Sequence, residues 1–396
     1  MISVEEATQR IVAAFAPLEA ETVAIANAAG RVLAEDVAAK TKQPPFPVSS
    51  MDGYAVRAAD VQSVPITLRV VGSSPAGHPF QGKIGKSETV RIFTGGVVPE
   101  GADAIVIQEN TEIAGDTVQI KSSTKSGQHI RATGLDFKRG DVLAKRGARL
   151  SARDLSLLAA ADVAQVNVHK KPIVAFVATG DELSRPGEPR KAGGIVASSG
   201  YGLAAMTEKW GATPRDLGIL PDNAQAISGI AENAKDADVI VTLGGASVGD
   251  HDLVQSALGP KGFALDFWKI AMRPGKPLIF GKLGKTPLLG LPGNPVSSLV
   301  CAILFLQPAI AAMLGADTVS SKRRAKLAVP LAANDARQDY LRARTSMRQG
   351  ELFVEAFAVQ DSSMLKILAD ADALIVRAPN VPVANAGDSV EIIPLD

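Results

Sequence analysis

Carboxylates, glycines and hydroxyls recur in this chain at spacings that suit chemistry on a phosphate or another oxyanion. The densest stretch is ADVIVTLGGASVGDHDL, 237–253, where a β-branched apolar run stops at Gly244 and Gly245 and Ser247, Asp250, His251 and Asp252 follow. An open parallel sheet presents its site this way, at the carboxyl ends of its strands. Glycines let backbone N–H groups approach a phosphate closely, and carboxylates suit a hard cation such as Mg²⁺. Capped strand–helix turns have the same composition, so the stretch gains weight only from its neighbours. Asp181 and Glu182 follow the apolar run 173–177, and Asp222 follows 215–220. Asn294, Pro295 and Ser297 follow 287–291, while Lys269, Arg273, Lys276 and Pro277 surround a Pro-Gly turn. A cation there would clamp phosphate oxygens while a positioned water or oxyanion attacks. Earlier in the chain, Asp52 stands in SSMDGYAV and Thr94 in FTGGVVP, both also readable as plain turns. Gly77, Gly82 and Lys83 mimic a P-loop, but Ile84 replaces the required hydroxyl and no helix is expected next. His251 has no nucleophile partner in reach of the pattern, so no Ser-His-Asp set is expected.

The elements that position these residues follow from composition and periodicity. With 396 residues the chain is too long for one core. Its net charge of +1 and sparse aromatics argue against nucleic acid. The single cysteine, Cys301, excludes an internal disulfide or a cysteine-based zinc site, and the four histidines lack metal-ligand spacing. The N-terminal residues lack a signal-peptide pattern, and the longest apolar run, 299–306, is too short to span a bilayer, so a soluble cytoplasmic protein is expected.

Ser3-x-x-Glu6 reads as a capping box opening an amphipathic helix, and a second helical pattern covers 25–37. Pro44, Pro45 and Pro47 force an extended crossing. Short strands with turns then indicate a small β domain, inserted before the helix capped by Ser151 rejoins the first segment. From Lys171, strands alternate with helices at 202–210, 224–234 and 295–314, the sign of a parallel sheet covered by helices. All its turns would share one edge, facing helix N-termini that favour an anion. The remainder is a last small β domain. The fold class is therefore multidomain α/β. The expected domains are a discontinuous bridging α+β unit (1–47 and 140–171), an inserted β domain (48–139), the α/β domain (172–320) and a C-terminal β domain (321–396).

SSMDGYAV (49–56), FTGGVVPEGADAIV (93–106), ATGDEL (178–183), LGGASVGDHD (243–252), MRPGKP (272–277) and LPGNPVSS (291–298) stand in an order that resembles the molybdopterin molybdotransferase family, which includes the E domain of gephyrin. The resemblance covers most of the chain, and MDGYA with PGNPVS is its most specific part. It implies an elongated bridging domain, a molybdopterin-binding α/β domain, a C-terminal β barrel, and a homodimer whose cleft joins the α/β domain of one subunit to β domains of the other. It implies insertion of molybdate into adenylylated molybdopterin, with Mg²⁺-dependent cleavage of the adenylate and release of AMP. An upstream molybdopterin adenylyltransferase would supply the substrate, and molybdoenzymes or cofactor carriers would take the product; no nucleic-acid or membrane partner is implied. By motif position, Asp52, Thr94, Glu182, Asp222 and Asp252 match active-site residues, with Asp222 and Asp252 as Mg²⁺ ligands. Gly244, Gly245, Ser247, Arg273, Lys276, Pro277, Asn294, Pro295 and Ser297 match substrate-binding positions, and Arg342 and Ser362 would complete the oxyanion site. The chain departs from the family at Arg273, often Lys; at Ser199, usually Asn; and at Leu135, usually Glu. These departures leave room for a tungstate-inserting paralogue, and the motifs are also compatible with a molybdopterin adenylyltransferase or a non-catalytic binding scaffold.

Overall fold

The computed structural model describes residues 1–245, 256–316 and 322–395. Helix Val4–Val12 is capped as its sequence requires, with the Glu6 N–H donating to Ser3 Oγ at 3.0 Å. Its buried stripe, Val4, Ala7 and Ile11, joins the largest core together with Phe176, Val241 and Phe305. The second expected helix is absent. Only the short turn Ile25–Asn27 is helical, and Gly30 takes φ +71°. The apolar residues beyond it serve strand pairing: Val32 and Leu33 are fully buried and bridge to Arg149 and Val168. Strand Ala20–Ala24 pairs antiparallel with Gln165–His169, and Val37–Ala38 pairs with Val142–Ala144, so the first segment and the one after the insertion share two small sheets and a core. The prolines mark the crossing. The Gln43 N–H donates to Phe137 O and the Gly134 N–H to Pro44 O, both at 2.9 Å, which lays the outgoing and returning strands side by side.

The inserted segment forms a six-stranded sheet in the order Ala104–Ile107, Gly53–Val56, Glu88–Ile92, Ile66–Ser74, Thr117–Ile120, Thr111–Ala114. Lys83, from the P-loop mimic, pairs with Glu100 at 2.8 Å, and no helix follows it.

The α/β domain holds a second six-stranded sheet, ordered Thr213–Leu220, Ile173–Thr179, Val239–Leu243, Thr286–Leu291, Pro277–Leu283, Phe263–Lys269. The first four strands are parallel and the last two antiparallel. A hairpin through Gly284 (φ +60°) joins Pro277–Leu283 to Thr286–Leu291, and so short a link cannot make a parallel crossover. Helix Ser199–Lys209 packs on the sheet. The helix expected over 224–234 breaks at Gly229 into Ala224–Ser228 and Ile230–Asn233. The long helix runs as Pro295–Cys301, a π segment Ala302–Leu306, and Gln307–Met313. Pro308 has no N–H to donate to the preceding turn, and a widened turn absorbs the defect. The run Pro295–Met313 is long and apolar enough to cross a membrane, which corrects the reading from 299–306 alone, but 67% of its apolar window is buried in the core.

Strands Arg323–Leu327, Gln338–Arg348, Glu351–Ala356, Ala373–Arg377 and Ser389–Pro394 close into a barrel through the pairing of Gln338–Arg348 with Ala373–Arg377. Strand Met272–Arg273 of the α/β domain pairs parallel with Gln338 and Asp339 and ties barrel to sheet.

Candidate active site

The carboxyl ends of the four parallel strands meet at one edge, where glycines permit backbone to pack on backbone. The Gly180 N–H donates to Leu220 O at 3.1 Å and the Gly244 N–H to Leu291 O at 3.2 Å. Gly244 takes φ +99°, and a Cβ there would lie 2.8 Å from Thr179 O. A Cβ on Gly293 would touch Gly244 Cα at 3.7 Å. Three turns thus converge within contact distance, with half-buried Gly245 at the tip of one. The Glu182 carboxylate folds over Gly180, 2.7 Å from where a Cβ would stand. Asp222 is exposed two residues beyond Thr213–Leu220, beside Asn223, whose side chain caps the next helix at 2.9 Å. Ser247, Asp250, His251 and Asp252 lie outside the described residues.

A cleft of about 430 Å³ opens at this edge, lined among others by Gly180, Asp181, Arg185, Lys191 and Pro221. Lys191 Nζ donates to Asp181 O at 3.0 Å, and Arg185 lies 3.7 Å from Asp216. Sequence reasoning passed over both cations. Their signal is three basic residues in the Pro-Gly loop SRPGEPRK, directly after ATGDEL.

Among the described residues no group of three His, Cys, Asp or Glu side chains could cage a metal. The donors at the edge, Glu182 and Asp222, are hard oxygens. Mg²⁺ uses one or two carboxylates, keeps several waters and takes the rest from substrate phosphate, so this donor set fits it.

The barrel supplies the other side of the last turn. Asn294 Nδ2 donates to Ser362 Oγ at 3.0 Å, and the Val296 N–H donates to Ser362 O at 3.1 Å. Arg342, 1% exposed, donates through Nη2 to Asp361 O at 2.9 Å, and its backbone N–H meets Gln360 Oε1 at 2.9 Å. Its Nε is buried without a partner, and burial pulls its pKa below the usual arginine value against the opposing field of Asp361. Pro295 and buried Ser297 open the helix beside this joint. Asn294, Ser362 and Arg342 therefore belong to one neighbourhood, though the last two carry no sequence signal of their own.

Arg273 stands differently from a free substrate-binding cation. Its Nε and Nη2 donate to Asp339 Oδ1 and Oδ2 at 3.0 and 2.8 Å, and Asp335 lies 3.7 Å away. This fork spans the junction between sheet and barrel. Lys276 is exposed and its carbonyl accepts from the Ile270 N–H at 3.0 Å; Pro277 begins the next strand.

A second polar centre lies in the inserted β domain. Gly53 is paired with Ile92 on antiparallel strands, so Asp52 and the Phe93–Thr94 turn meet at the same end. Asp52 Oδ1 accepts from the Thr94 N–H at 2.7 Å and from Thr94 Oγ1 at 2.8 Å. These bonds, backbone first, hold the Asp52 carboxyl below the ordinary aspartate range, and Arg91 adds to the effect. Behind the pair, Arg91 sits between the Tyr54 and Phe93 rings, its Cζ 5.2 and 4.8 Å from their centroids.

An open sheet edge of glycine turns, carboxylates and helix N-termini, joined to a β barrel and carrying an inserted β domain, defines a multidomain α/β protein with its candidate site at that edge. Three family models match in order: the MoeA N-terminal region (domains I and II) over residues 2–161, a probable molybdopterin binding domain over 175–312, and the MoeA C-terminal region (domain IV) over 324–395. The chain is 36% identical to the molybdopterin molybdenumtransferase of Haemophilus influenzae over 385 residues, 96% of this chain and 95% of that one. It is 32% identical to that of Bacillus subtilis, over 99% of this chain and 94% of the relative. The crystal structure of the molybdopterin biosynthesis MoeA protein from Pyrococcus horikoshii superposes with a TM-score of 0.86 at 28% identity, covering 99% of both chains. The chain belongs to the molybdopterin molybdenumtransferase (MoeA) family, and is accordingly a transferase.

Proposed function

We propose that this protein inserts molybdate into adenylylated molybdopterin, cleaving the adenylate in a Mg²⁺-dependent step that releases AMP and molybdenum cofactor. The observation that carries this reading is the presence of all three family regions, in order, in one chain. A molybdopterin adenylyltransferase would need neither the MDGYA-bearing insert nor the barrel.

In this reading Gly180 and Gly244, whose own N–H groups bond Leu220 O and Leu291 O, let the turns pack closely, and Gly245 and Gly293 offer backbone N–H groups to the substrate phosphates. Glu182, Asp222 and Asp252 provide the carboxylates, and Asp222 with Asp252 would hold Mg²⁺. Bound there, Mg²⁺ would neutralise charge on the phosphate oxygens. Ser247, Lys276, Pro277, Asn294, Pro295, Ser297, Arg342 and Ser362 would bind the pterin and molybdate. Arg342 brings a buried positive charge to an oxyanion, and Ser362 a hydroxyl. Arg273 acts by fixing the barrel against that pocket. Asp52 holds the Thr94 hydroxyl in place and stays ionised at neutral pH. A second copy of the chain in a homodimer brings its Asp52 and Thr94 over this sheet edge. The protein works in the cytoplasm, between an adenylyltransferase that supplies its substrate and molybdoenzymes or carriers that receive the cofactor.

The test is AMP release from adenylylated molybdopterin with and without Mg²⁺, molybdate or tungstate, for the wild type and Glu182→Gln. Molybdate-stimulated release that needs Mg²⁺ and Glu182 supports the reading. A folded protein that binds the pterin without releasing AMP contradicts it, and stimulation by tungstate alone would change the metal.

A further inference from the structure

Arg91 lies outside the proposed reacting groups, yet its environment is built around it. It stands on Glu88–Ile92, three residues before Thr94, and its strand neighbour across the sheet is Tyr54. Its Nη1 donates to Gly53 O at 3.0 Å, the carbonyl next to Asp52. Its Nη2 donates to Gln108 Oε1 at 2.7 Å. The Gln108 N–H in turn donates to Asp52 O at 3.1 Å. The guanidinium is stacked between Tyr54, which is 2% exposed, and Phe93, whose ring is partly open to solvent. One planar cation thus holds the Gly53 carbonyl directly, the Asp52 carbonyl indirectly through Gln108, and the ring that precedes Thr94. Both hydrogen bonds go to neutral oxygens, so the charge is not spent on a carboxylate and its field reaches Asp52.

We infer that Arg91 is a positioning residue for the proposed reaction, locking the Asp52–Thr94 pair into one geometry through the Tyr54–Arg91–Phe93 stack and the Gly53 and Gln108 contacts. The inference rests on the role proposed for Asp52 and Thr94. Arg91 itself does not meet the reacting atoms. Arginine suits the task because its rigid fork can grip two acceptors while its faces stack on rings; lysine keeps the charge and loses both properties.

The test is a double-mutant cycle on the full-length protein, read as kcat and KM for AMP release. Arg91→Met alone should lower kcat on the order of tenfold with KM nearly unchanged, because misplacement of a reacting group costs turnover before affinity. In a Thr94→Ala background the same substitution should cost less than about twofold, since the pair it positions is already broken. Arg91→Lys should recover only part of the loss. Equal losses in both backgrounds would make Arg91 a general structural residue and overturn the inference, as would a chain that folds with neither Met nor Lys at this position. A fully active Thr94→Ala, by contrast, would overturn the reading of the pair itself. If Thr94→Ala is impaired but Arg91→Met is not, only the inference on Arg91 fails.

Discussion

Replacing Arg273 should cost more than replacing its partner Asp339, although the two share the same hydrogen bonds. The Asp339 side chain is 5% exposed and that of Arg273 is 48% exposed. Arg273→Ala leaves a buried carboxylate without its two charge-assisted bonds, a loss of about 2–3 kcal/mol after discounting for the half-exposed partner. The charge of Arg337, which also reaches Asp339, keeps the figure from rising further. Asp339→Asn leaves a guanidinium that water can already reach and an amide oxygen that can still accept, for about 1 kcal/mol. The natural readout is hydrogen exchange at 338–343, where Gln338–Arg348 takes the parallel pairing from Met272–Arg273. Protection there should fall about 30- to 150-fold for Arg273→Ala and about fivefold for Asp339→Asn, at 1.4 kcal/mol per factor of ten. Arg273→Lys, which can reach only one carboxylate oxygen at a time, should fall between. Equal losses in the two variants, or a loss below about threefold for Arg273→Ala, would refute the reasoning that this fork clamps barrel to sheet.

Other consequences can be checked directly. Gly53→Ala should destabilise the inserted domain by about 3 kcal/mol or more, because its Cβ would fall on Val106 O between two paired strands; an unchanged melting curve would contradict the packing. Ser362→Ala should cost about 1 kcal/mol, and a double-mutant cycle with Asn294→Ala should show that the two losses overlap, as for one shared hydrogen bond. Cys301 is buried and its pKa is driven up by burial, so it should resist alkylation in the native protein and react only on unfolding. Asp335 is held down to about 2 chiefly by its hydrogen bonds with Arg337. A depressed folded pKa means its stabilising contact is complete above the unfolded value near pH 4 and lost as pH falls toward about 2, so carboxyl NMR shifts of Asp335 should stay flat from pH 8 to 5. Mixing Asp52→Asn protomers with Glu182→Gln protomers should restore AMP release if the cleft joins two subunits; no restoration in proven heterodimers would deny that geometry.

What the sequence made legible was the edge of the α/β sheet. Each of the four parallel strands stops at a glycine or proline with a carboxylate, amide or hydroxyl within a few residues, and those signals are local. The misread helix over 25–37 failed for a related reason. Ile25, Val32, Leu33 and Val37 have helical spacing, but Gly30 turns the chain left-handed and the apolar residues face partners more than a hundred positions away. Arg273 looked like a free cation because Asp339 lies 66 residues on. The joint of Asn294 with Ser362 and the placement of Arg342 also depend on barrel closure, which no local pattern encodes. Asp52 and Thr94, 42 residues apart, became a pair only through strand register. Arg91 was hidden in an ordinary alternating strand, where nothing distinguishes a solvated arginine from one stacked between two rings.

The central claim is tested most directly by a single-turnover reaction of purified protein with adenylylated molybdopterin, Mg²⁺ and molybdate, measuring AMP and the cofactor able to activate an apo-molybdoenzyme in the same tube. The account predicts that both products appear together in equal amounts, and that both are lost on omitting Mg²⁺ or on Asp52→Asn. Active cofactor formed without AMP, or AMP released at the same rate and yield whether or not molybdate is present, would contradict it.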